Sequence, residues 1–478
     1  MPHLRRREPE TAEAELNRRL AGVARQNVIL SERLARVENS YFFRALRWAG
    51  GLFAGLRSRD GDAEYARWAA ALDRGALQLR GRGGQPRRVA RVAPGQRLPS
   101  GADYYLFVED GATVSPHAEE LLLQAIDEGA HAAYGDWDHV SDNGQVFAPR
   151  FTPTYSPTLL AHTMYWGPVF AVCADAINDA GASMHEIAIS IDGPVTRVPC
   201  VLSHRSGGVR AQVDARAIPP RDWRVSIVIC SRDAKLLDRS LRALACEDAE
   251  IVAVTHDIDG GDELARVTAA HGVKRVSFTA PFHYGAMNDA GVRASSGEFV
   301  VLLNDDAFPA EARWLDSLVA TAGRGIAGGL LEYPNGRIQH AGVVIGMLPG
   351  PTHIGRLAID GGTFWPWLRM TRDVAAVTGA CMAMRRSLWD ELGGFDRRFP
   401  ASFNDVDLCL RARRAGHRVK LDAQARLIHE ESATRNPRVR REESELFRQL
   451  WGDAMLEPDP YFHPELTLVR AEVRLREW

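Results

Sequence analysis

The feature that most restricts the fold is a regular alternation of apolar runs and amphipathic segments in the second half of the chain. VSIVIC (225–230) predicts a buried strand, and the amphipathic segment that follows it predicts a helix. Further strands are predicted at 250–257, 273–278 and 298–303, with a helix at 282–295 before the last of them. This alternation implies right-handed βαβ units and therefore an α/β fold with a mostly parallel sheet.

The stretch FVVLLNDDAFP (299–309) places polar residues directly after one of these apolar runs. The run suits a strand that is covered on both faces, and it ends in Asn304, Asp305 and Asp306. Ligands of open α/β sheets bind outside the carboxyl ends of the strands, and clustered acids there favour a hard divalent cation. A simple turn held by Asn and Asp side chains explains the same letters equally well.

Three segments in the first half of the chain correspond, in the same order, to three segments in the second half. The pairs are 102–116 with 297–311, 167–181 with 379–393, and 197–205 with 422–430. In the last pair His204 aligns with His429. These echoes predict two copies of one architecture, of which the first lacks its opening βαβ half.

The N-terminal region has a different pattern. Apolar residues and one asparagine follow a heptad spacing at Leu16, Leu20, Val23, Asn27, Leu30, Leu34 and Val37. This spacing predicts a short coiled coil, and thus a homodimer through 16–37, although packing on the chain's own body would give a similar stripe. Residues 40–57 combine aromatic side chains with arginines, which fits either a helix in a membrane interface or intramolecular docking.

Charge and cysteine usage narrow the class of protein. Of 478 residues, the first hundred contain 20 arginines and 10 acidic residues, whereas the remainder carries 39 basic and 51 acidic residues. An acidic body argues against nucleic acid as the main partner. Six scattered cysteines without a CxxC spacing, no signal peptide and no apolar span predict a cytoplasmic protein with at most peripheral membrane contact.

Residues 222–455 resemble a GT-A glycosyltransferase of family 2. The resemblance is carried by six motifs in the family's order, namely VSIVICSRD, FHYGAMNDAGVRASSGEFVVLLNDD, GRIQHAGVV, VTGACMAMRRSLWDELGGFD, FNDVDLCLRARRAGH and HEESATR. It is strongest to bacterial O-antigen and surface-polysaccharide transferases of the rhamnosyltransferase-like type. Residues 101–216 resemble the partial GT-A-like module of that subgroup. The expected division is therefore a helical segment at 1–57, a linker at 58–100, the partial module at 101–216, the GT-A catalytic domain at 222–455 and a tail at 456–478.

The resemblance implies a nucleotide-diphosphate sugar as donor and a divalent cation, Mn²⁺ or Mg²⁺, as cofactor. The family's DxD motif falls on residues 304–306, which makes Asp306 a metal ligand and places Asn304 near the ribose or sugar. His429 matches the family's further metal position, and an imidazole ligand favours Mn²⁺. The donor-binding residues implied in this way are Ser231, Asp257, Asn304, Asp305, Gly379, Gly393 and Gly394.

The resemblance also implies an acceptor side around residues 404–407. Asp405 is the expected catalytic base, with Asn404 and Asp407 as acceptor-binding residues. Asn404 is the expected N-cap of the helix, so Asp405 lies in the first turn, where the helix dipole favours a negative charge. Asp405 and Asp407 are two positions apart and do not share a helix face. Direct displacement with one base implies inversion at the anomeric carbon and transfer of a hexosyl or deoxyhexosyl group to a glycan or lipid-linked glycan.

The first copy lacks the residues that this chemistry needs, because Gly111 aligns with Asp306 and no counterpart of the 405–407 acids follows 181. We therefore expect it to be inactive, with a separate site at Asp136 and Asp138 as an alternative. Two other functions fit parts of the sequence. One is a non-catalytic glycan-binding scaffold, which Asn304 in place of an acid favours. The other is a sugar nucleotidyltransferase. That class needs a glycine-rich, basic phosphate loop after the first strand, and CSRDAKLL does not provide one.

Overall fold

A computed structural model of the chain describes five residues between 63 and 69, and most of residues 87–475. The gaps in the second range are 178–182, 208–216, 259–260, 348–349, 357, 359–364, 432–438, 469–472 and 474. The predicted coiled coil and the predicted interfacial helix at 40–57 lie outside the described residues. Within the described part of the chain, no helix is both long enough and apolar enough to cross a membrane.

The first sheet is built from the strands that precede residue 207. Its strands are β1 (Val89–Val92), β2 (Tyr104–Val108), β3 (Ala112–Val114), β4 (Ala132–Val140), β5 (Val146–Arg150), β6 (Val169–Cys173) and β7 (Val195–Ser206). They lie in the order β1-β2-β6-β4-β7-β3, with β5 beside β4. The helices of this region are α1 (Ala118–Asp127), α2 (Pro157–Leu160) and α3 (Met184–Ser190).

The second sheet begins with the predicted strand–helix alternation. Its strands are β8 (Val225–Ser231), β9 (Glu250–His256), β10 (Lys274–Phe278), β11 (Phe299–Asn304), β12 (Ala307–Pro309), β13 (Ile326–Glu332), β14 (Ile338–His340), β17 (Arg372–Asp373), β18 (Cys381–Arg385) and β19 (Val419–His429). The order is β10-β9-β8-β11-β18-β13-β19-β12, with β14 on β13 and β17 on β19. A separate hairpin pairs β15 (Val343–Val344) with β16 (Thr352–His353).

Helices connect and cover the strands of this second region. They are α4 (Ala234–Ala243), α5 (Gly261–Ala270), α6 (Tyr284–Ala294), α7 (Trp314–Ala322), α8 (Arg386–Leu392), α9 (Asn404–Arg414) and α10 (Arg441–Leu456). The strands β10, β9, β8 and β11 are parallel, as the alternation predicts. The sheet as a whole is mixed, because β18 runs antiparallel between β11 and β13.

The two sheets repeat one topology. The order β1-β2-β6-β4-β7-β3 corresponds strand by strand to β8-β11-β18-β13-β19-β12, and each pair of neighbours has the same relative direction in both. For example, β4 and β7 are parallel, as are β13 and β19. Among the described residues the first sheet has no counterpart of β9 and β10. The prediction of two copies is therefore confirmed, with one correction: the first copy keeps β1 as the counterpart of the opening strand β8, so it does not lack the whole opening βαβ half.

The central strand β11 explains the unbroken apolar run that the sequence contains. Val300 and Leu302 pack into a core shared with the first sheet, whereas Val301 and Leu303 pack against the opposite layer that contains Leu315. Both faces are buried, so every position of the strand is apolar and the polar residues begin only where it ends.

Buried polar contacts join the two regions. Asp373, which is fully buried, accepts hydrogen bonds from Ser156 Oγ at 2.7 Å and from the backbone N–H of Thr158 at 3.0 Å. In the tail, His463 Nε2 lies 2.7 Å from Asp136 Oδ2. Because a buried carboxylate is costly without donors, these contacts fix how the first sheet meets the second.

Candidate active site

Asn304, Asp305 and Asp306 lie at the carboxyl end of β11. The backbone N–H of Asn304 makes the last ladder contact, donating to the carbonyl of Ala380 at 2.9 Å. The chain then turns through residues 305–306 and enters β12. Asp306 is 6% exposed. The strand end therefore presents an amide and two carboxylates beside the neighbouring strands β8 and β18.

His429 is brought to Asp306 by strand pairing. Ala307 in β12 lies opposite His429 at the end of β19, so the residue before Ala307 comes alongside the imidazole. His429 Nε2 is 3.0 Å from Asp306 Oδ1. The two residues are 123 positions apart in sequence, and the structure places both in one partly buried pocket of polar atoms.

Gln339 determines which nitrogen of His429 faces Asp306. Its Oε1 is in close contact with His429 Nδ1, and its Nε2 donates to the carbonyl of His429 at 3.4 Å. His429 Nδ1 therefore carries a proton, and in the neutral imidazole the lone pair of Nε2 is directed at Asp306. Sequence reasoning noted Gln339 without a role, because the contact spans 90 residues.

This pair fits one edge of a divalent-cation site. Two acceptor atoms that face each other repel unless a positive charge joins them. Adjacent ligands of an octahedral ion at ~2.1 Å are themselves ~3.0 Å apart, which matches the spacing between His429 Nε2 and Asp306 Oδ1. The described residues contain no cluster of three or more His, Cys, Asp or Glu side chains suited to a metal.

Asp405 lies at the beginning of α9. Its Oδ2 accepts the backbone N–H of Gly379 at 2.9 Å, and its Oδ1 accepts that of Val406 at 2.8 Å. The expected place in the first helical turn is confirmed, but the expectation that Asn404 caps the helix is wrong. The N-cap is Phe403, in a left-handed conformation with φ of 63°, and Asn404 is the first helical residue.

Tyr284 links the two sides of the candidate site. Its hydroxyl lies 2.9 Å from the carbonyl of Gly379 and 3.3 Å from Asn304 Oδ1. Asn304 Nδ2 in turn lies 3.4 Å from His429 Nε2. A continuous chain of polar contacts therefore runs from Asp405 to the Asp306–His429 pair. Sequence reasoning missed Tyr284, although its position at the start of helix α6 in FHYGAMNDAG was a signal.

Asp305 and Ser231 lie together at the ends of β11 and β8. Burial raises the pKa of Asp305 to about 7, the charges of Asp306 and Asp233 add to this rise, and a hydrogen bond with Ser231 opposes it. The structure thus brings these two predicted donor-binding residues into contact with each other and with Asp306.

Asp257 follows β9 and is engaged in its own polar cluster. Burial opposes ionisation of its carboxyl, but hydrogen bonds from Ser277 and Arg275 outweigh burial and lower its pKa. Arg275 donates to Asp257 Oδ2 at 2.6 Å. The described contacts do not join Asp257 to Asp306 or Asp405, and its predicted contact with the nucleotide stays a prediction.

The remaining predicted residues lie on the supports of the site. Gly393 and Gly394 follow helix α8 with φ of 73° and 69°, and a Cβ on Gly394 would come within 2.6 Å of Asp289. Asp407 is buried, with one oxygen 2.8 Å from Arg411 Nε and the other 2.9 Å from Trp451 Nε1. These contacts position α8 and α9; the structure does not join the three residues to Asp405.

An α/β sheet that carries an acidic strand end, a facing histidine and a separate helix-start carboxylate fits the class of glycosyltransferases. Residues 220–450 match the family described as "Glycosyltransferase like family 2", and this part of the chain belongs to that family. The predicted fold class, a GT-A domain preceded by a partial copy, is confirmed for the described residues.

Two curated proteins are similar to the chain. One is "O-antigen biosynthesis protein RfbC" of Myxococcus xanthus, 29% identical over 439 residues that cover 78% of this chain and 34% of that protein. The other is "Uncharacterized protein y4gI" of Sinorhizobium fredii, 37% identical over 226 residues that cover 45% of this chain and 24% of that protein. The chain therefore spans about a third or less of these relatives' length.

A solved structure with a similar course is "Mannosyltransferase PcManGT from Pyrobaculum calidifontis in complex with GDP-Man and Mn2+". It is 16% identical, covers 54% of this chain and 71% of its own, and has a TM-score of 0.38. At that TM-score, residue roles do not transfer from one chain to the other.

Proposed function

We propose that the chain is an inverting, metal-dependent glycosyltransferase that moves a sugar from a nucleotide-diphosphate donor to a hydroxyl of a glycan. The observation that carries this proposal is the 3.0 Å approach of His429 Nε2 to Asp306 Oδ1, joined through Asn304, Tyr284 and Gly379 to Asp405. Family membership of residues 220–450 supports the reaction class.

Asp306 and His429 are the residues that would hold the cation. An imidazole ligand favours Mn²⁺ over Mg²⁺. When bound, the ion supplies positive charge to the leaving diphosphate. Asn304 binds the donor beside this pair, and its Nδ2 lies 3.4 Å from His429 Nε2. Asp305 and Ser231 complete the donor side at the ends of β11 and β8.

Asp405 is the base on the acceptor side. The backbone N–H groups of Gly379 and Val406 fix its two oxygens. As the acceptor oxygen attacks the anomeric carbon, its proton passes to Asp405, and the bond to the diphosphate breaks on the opposite face of the sugar. A single displacement of this kind inverts the configuration of the anomeric carbon.

The relatives and the sequence support a setting for the reaction. A relative named as an O-antigen biosynthesis protein supports a surface polysaccharide, lipid-linked or free, as the acceptor. The catalytic domain is 222–455, and the inactive module at 101–216 braces it through Ser156 and Asp373. Nucleotide sugars place the reaction in the cytoplasm, with peripheral membrane contact through 40–57 and dimerisation through 16–37.

Donor hydrolysis tests this proposal. A panel of UDP-, GDP- and dTDP-sugars with Mn²⁺ is expected to give slow release of nucleoside diphosphate from at least one donor, and Asp306→Asn is expected to abolish it. Proton NMR of a transferred product is expected to show the anomeric configuration opposite to that of the donor. No release from any donor by wild-type protein would contradict the proposal and favour a non-catalytic glycan-binding scaffold.

A further inference from the structure

His353 is linked through His340 to the turn that holds the candidate base, although nothing in the proposed reaction uses it. It ends β16, and its backbone pairs with Val343 of β15. Its Nδ1 is 3.2 Å from Nδ1 of His340, with the two rings edge-on at 4.8 Å between centroids. His340 is fully buried, whereas His353 is partly exposed. The buried ring of His340 therefore positions the more exposed ring of His353.

Backbone N–H groups of adjacent residues hold both His340 and Asp405. The N–H of Thr378 lies 3.4 Å from His340 Nε2, and the N–H of Gly379 lies 2.9 Å from Asp405 Oδ2. One turn of the chain therefore positions the base and, through His340, the ring of His353. The charge of Asp405 acts on His353, since it raises the pKa of that imidazole against the larger lowering by burial.

The same contacts fix the proton of His353. A backbone N–H can only donate, so His340 Nε2 is the acceptor and the proton of neutral His340 is on Nδ1. That proton is donated to Nδ1 of His353, which leaves the proton of neutral His353 on Nε2. No partner for Nε2 is found among the described residues, and this N–H group points away from His340.

A half-exposed polar cluster lies beside His353. Arg356 Nε donates to the hydroxyl of Tyr333 at 2.7 Å, and Arg356 is paired with Glu431 at 3.0 Å. Tyr333 donates to the same carboxylate at 2.8 Å. Glu431 has φ of 45°, a conformation that non-glycine residues adopt at a cost of about 1–3 kcal/mol and that is concentrated at functional sites.

We propose that His353, with Tyr333, Arg356 and Glu431, forms the subsite for the acceptor sugar, and that this sugar is an uncharged pyranose. The Nε2–H group of His353 donates to a ring hydroxyl of the sugar. This hydroxyl is next to the attacking hydroxyl, whose proton passes to Asp405. An anionic sugar is disfavoured, because Asp405 repels it and the charge of Arg356 is already balanced by Glu431. This assignment rests on the proposed function and names its acceptor class.

Binding measurements test the subsite without turnover. Saturation-transfer NMR is done on the full chain with Mn²⁺ and UDP or GDP, using methyl α- and β-glucosides, mannosides and rhamnosides and the methyl glucuronides as probes. We expect at least one neutral glycoside to bind and the glucuronides to bind more weakly. In His353→Phe the affinity is expected to fall roughly tenfold, the loss of one hydrogen bond to a neutral partner.

Two further variants separate this loss from misfolding. His353→Gln retains an N–H donor and is expected to keep more affinity than His353→Phe, whereas the surface variant His417→Ala is expected to bind as wild type does. Donor hydrolysis by His417→Ala is expected to stay within about twofold of wild type, since His417 belongs to neither the donor side nor the acceptor side.

The outcomes distinguish this inference from the proposed function. Absence of any glycoside binding by wild-type protein, equal binding by His353→Phe, or preference for glucuronides would each overturn the subsite, whatever the hydrolysis assay gives. Absence of donor hydrolysis, with glycoside binding that depends on His353, would instead overturn the enzyme and leave a glycan-binding site.

Discussion

Each sheet carries a histidine near the end of the same strand, but the two histidines differ in register and in surroundings. His204 near the end of β7 lies opposite Thr113 of β3, whereas His429 at the end of β19 lies opposite Ala307 of β12. Ala307 corresponds to Ala112 of the first sheet, and Ala112 lies opposite Arg205. The two histidines therefore differ by one position in register, and the predicted correspondence of His204 with His429 is wrong. In the first sheet His204 Nδ1 lies 2.5 Å from Asp138 Oδ1, and its Nε2 lies 3.4 Å from Ser115 Oγ. In the second sheet Gln339 holds His429 and Nε2 faces Asp306.

The comparison shows that the fold supplies the strand end, whereas the register of its histidine and the loop after the central strand decide what that histidine contacts. Where the second sheet has Asp306, the first has Gly111 with φ of 77° in a tight turn. Asp138, 1% exposed, is hydrogen-bonded to His204, and it also accepts a hydrogen bond from the hydroxyl of Tyr65 at 2.6 Å. The first region thus keeps the scaffold with its polar groups paired internally. A separate site at Asp136 and Asp138 stays a prediction.

The largest expected difference between the regions concerns their carboxylates. Asp405→Asn is expected to lower kcat for sugar transfer about 1,000-fold, because general-base catalysis contributes about 10²–10⁴-fold. The matched variant Asp138→Asn removes a buried carboxylate of the first region and is expected to leave kcat per folded molecule within about twofold. Steady-state assays of both variants check this, and a comparable loss in Asp138→Asn would mean that both regions take part in the reaction.

The two histidines offer a second matched pair. His429→Ala is expected to weaken Mn²⁺ binding by at least ~100-fold, since loss of a ligand exceeds the usual effect of a supporting residue. His204→Ala is expected to bind Mn²⁺ as wild type does. Titration of Mn²⁺ by electron paramagnetic resonance, in the presence of a nucleoside diphosphate, gives both affinities. Equal affinities in the two variants would remove His429 from the metal site.

The residues that hold the histidines give a smaller expected effect. Gln339→Ala frees His429 Nδ1 and is expected to lower Mn²⁺ affinity ~10–100-fold, the range for residues that orient a metal-bound histidine. Ser115→Ala removes the contact of His204 Nε2 and is expected to leave Mn²⁺ affinity unchanged. The same titration applies, and an unaltered affinity in Gln339→Ala would show that His429 needs no such support.

The smallest expected effect concerns stability. Burial lowers the pKa of His463 below its usual 6.5, and Asp136 only partly offsets this, so the unfolded state binds more protons on acidification. The contribution of His463 to the free energy of unfolding is therefore fully present above pH ~6.5. Below that pH the contribution decreases as the pH decreases, until the pH reaches the lowered pKa of the folded state. The slope for one histidine is up to ~1.4 kcal/mol per pH unit.

His463→Gln is expected to reduce that slope, while other buried histidines such as His340, whose pKa is lowered by burial, still contribute. Urea unfolding at pH 7.5, 6.5 and 5.5 measures the slope for wild type and variant. Parallel curves for the two proteins would show that His463 is not the group that takes up the proton.

The strand–helix alternation, the internal repeat and the acidic strand end could all be predicted from the sequence, because periodicity and local order need no knowledge of distant contacts. Asp306, His429 and Asp405 could be named for the same reason, through motifs with a fixed order. Asn404 was misassigned as the N-cap, since only the backbone conformation shows that Phe403 adopts the left-handed state before the helix.

The contacts of Gln339, Tyr284 and His353 were decided by the tertiary structure alone. Gln339 reaches His429 across 90 residues and Tyr284 reaches Gly379 across 95, and no local pattern encodes such contacts. Hydrogen bonding is short-ranged and directional, so the function of a polar side chain depends on which strands and loops meet around it. The sequence determined the strands and the order of the chemical groups; the packing of β12 against β19 and of α9 beside the 378–379 turn decided which of them touch.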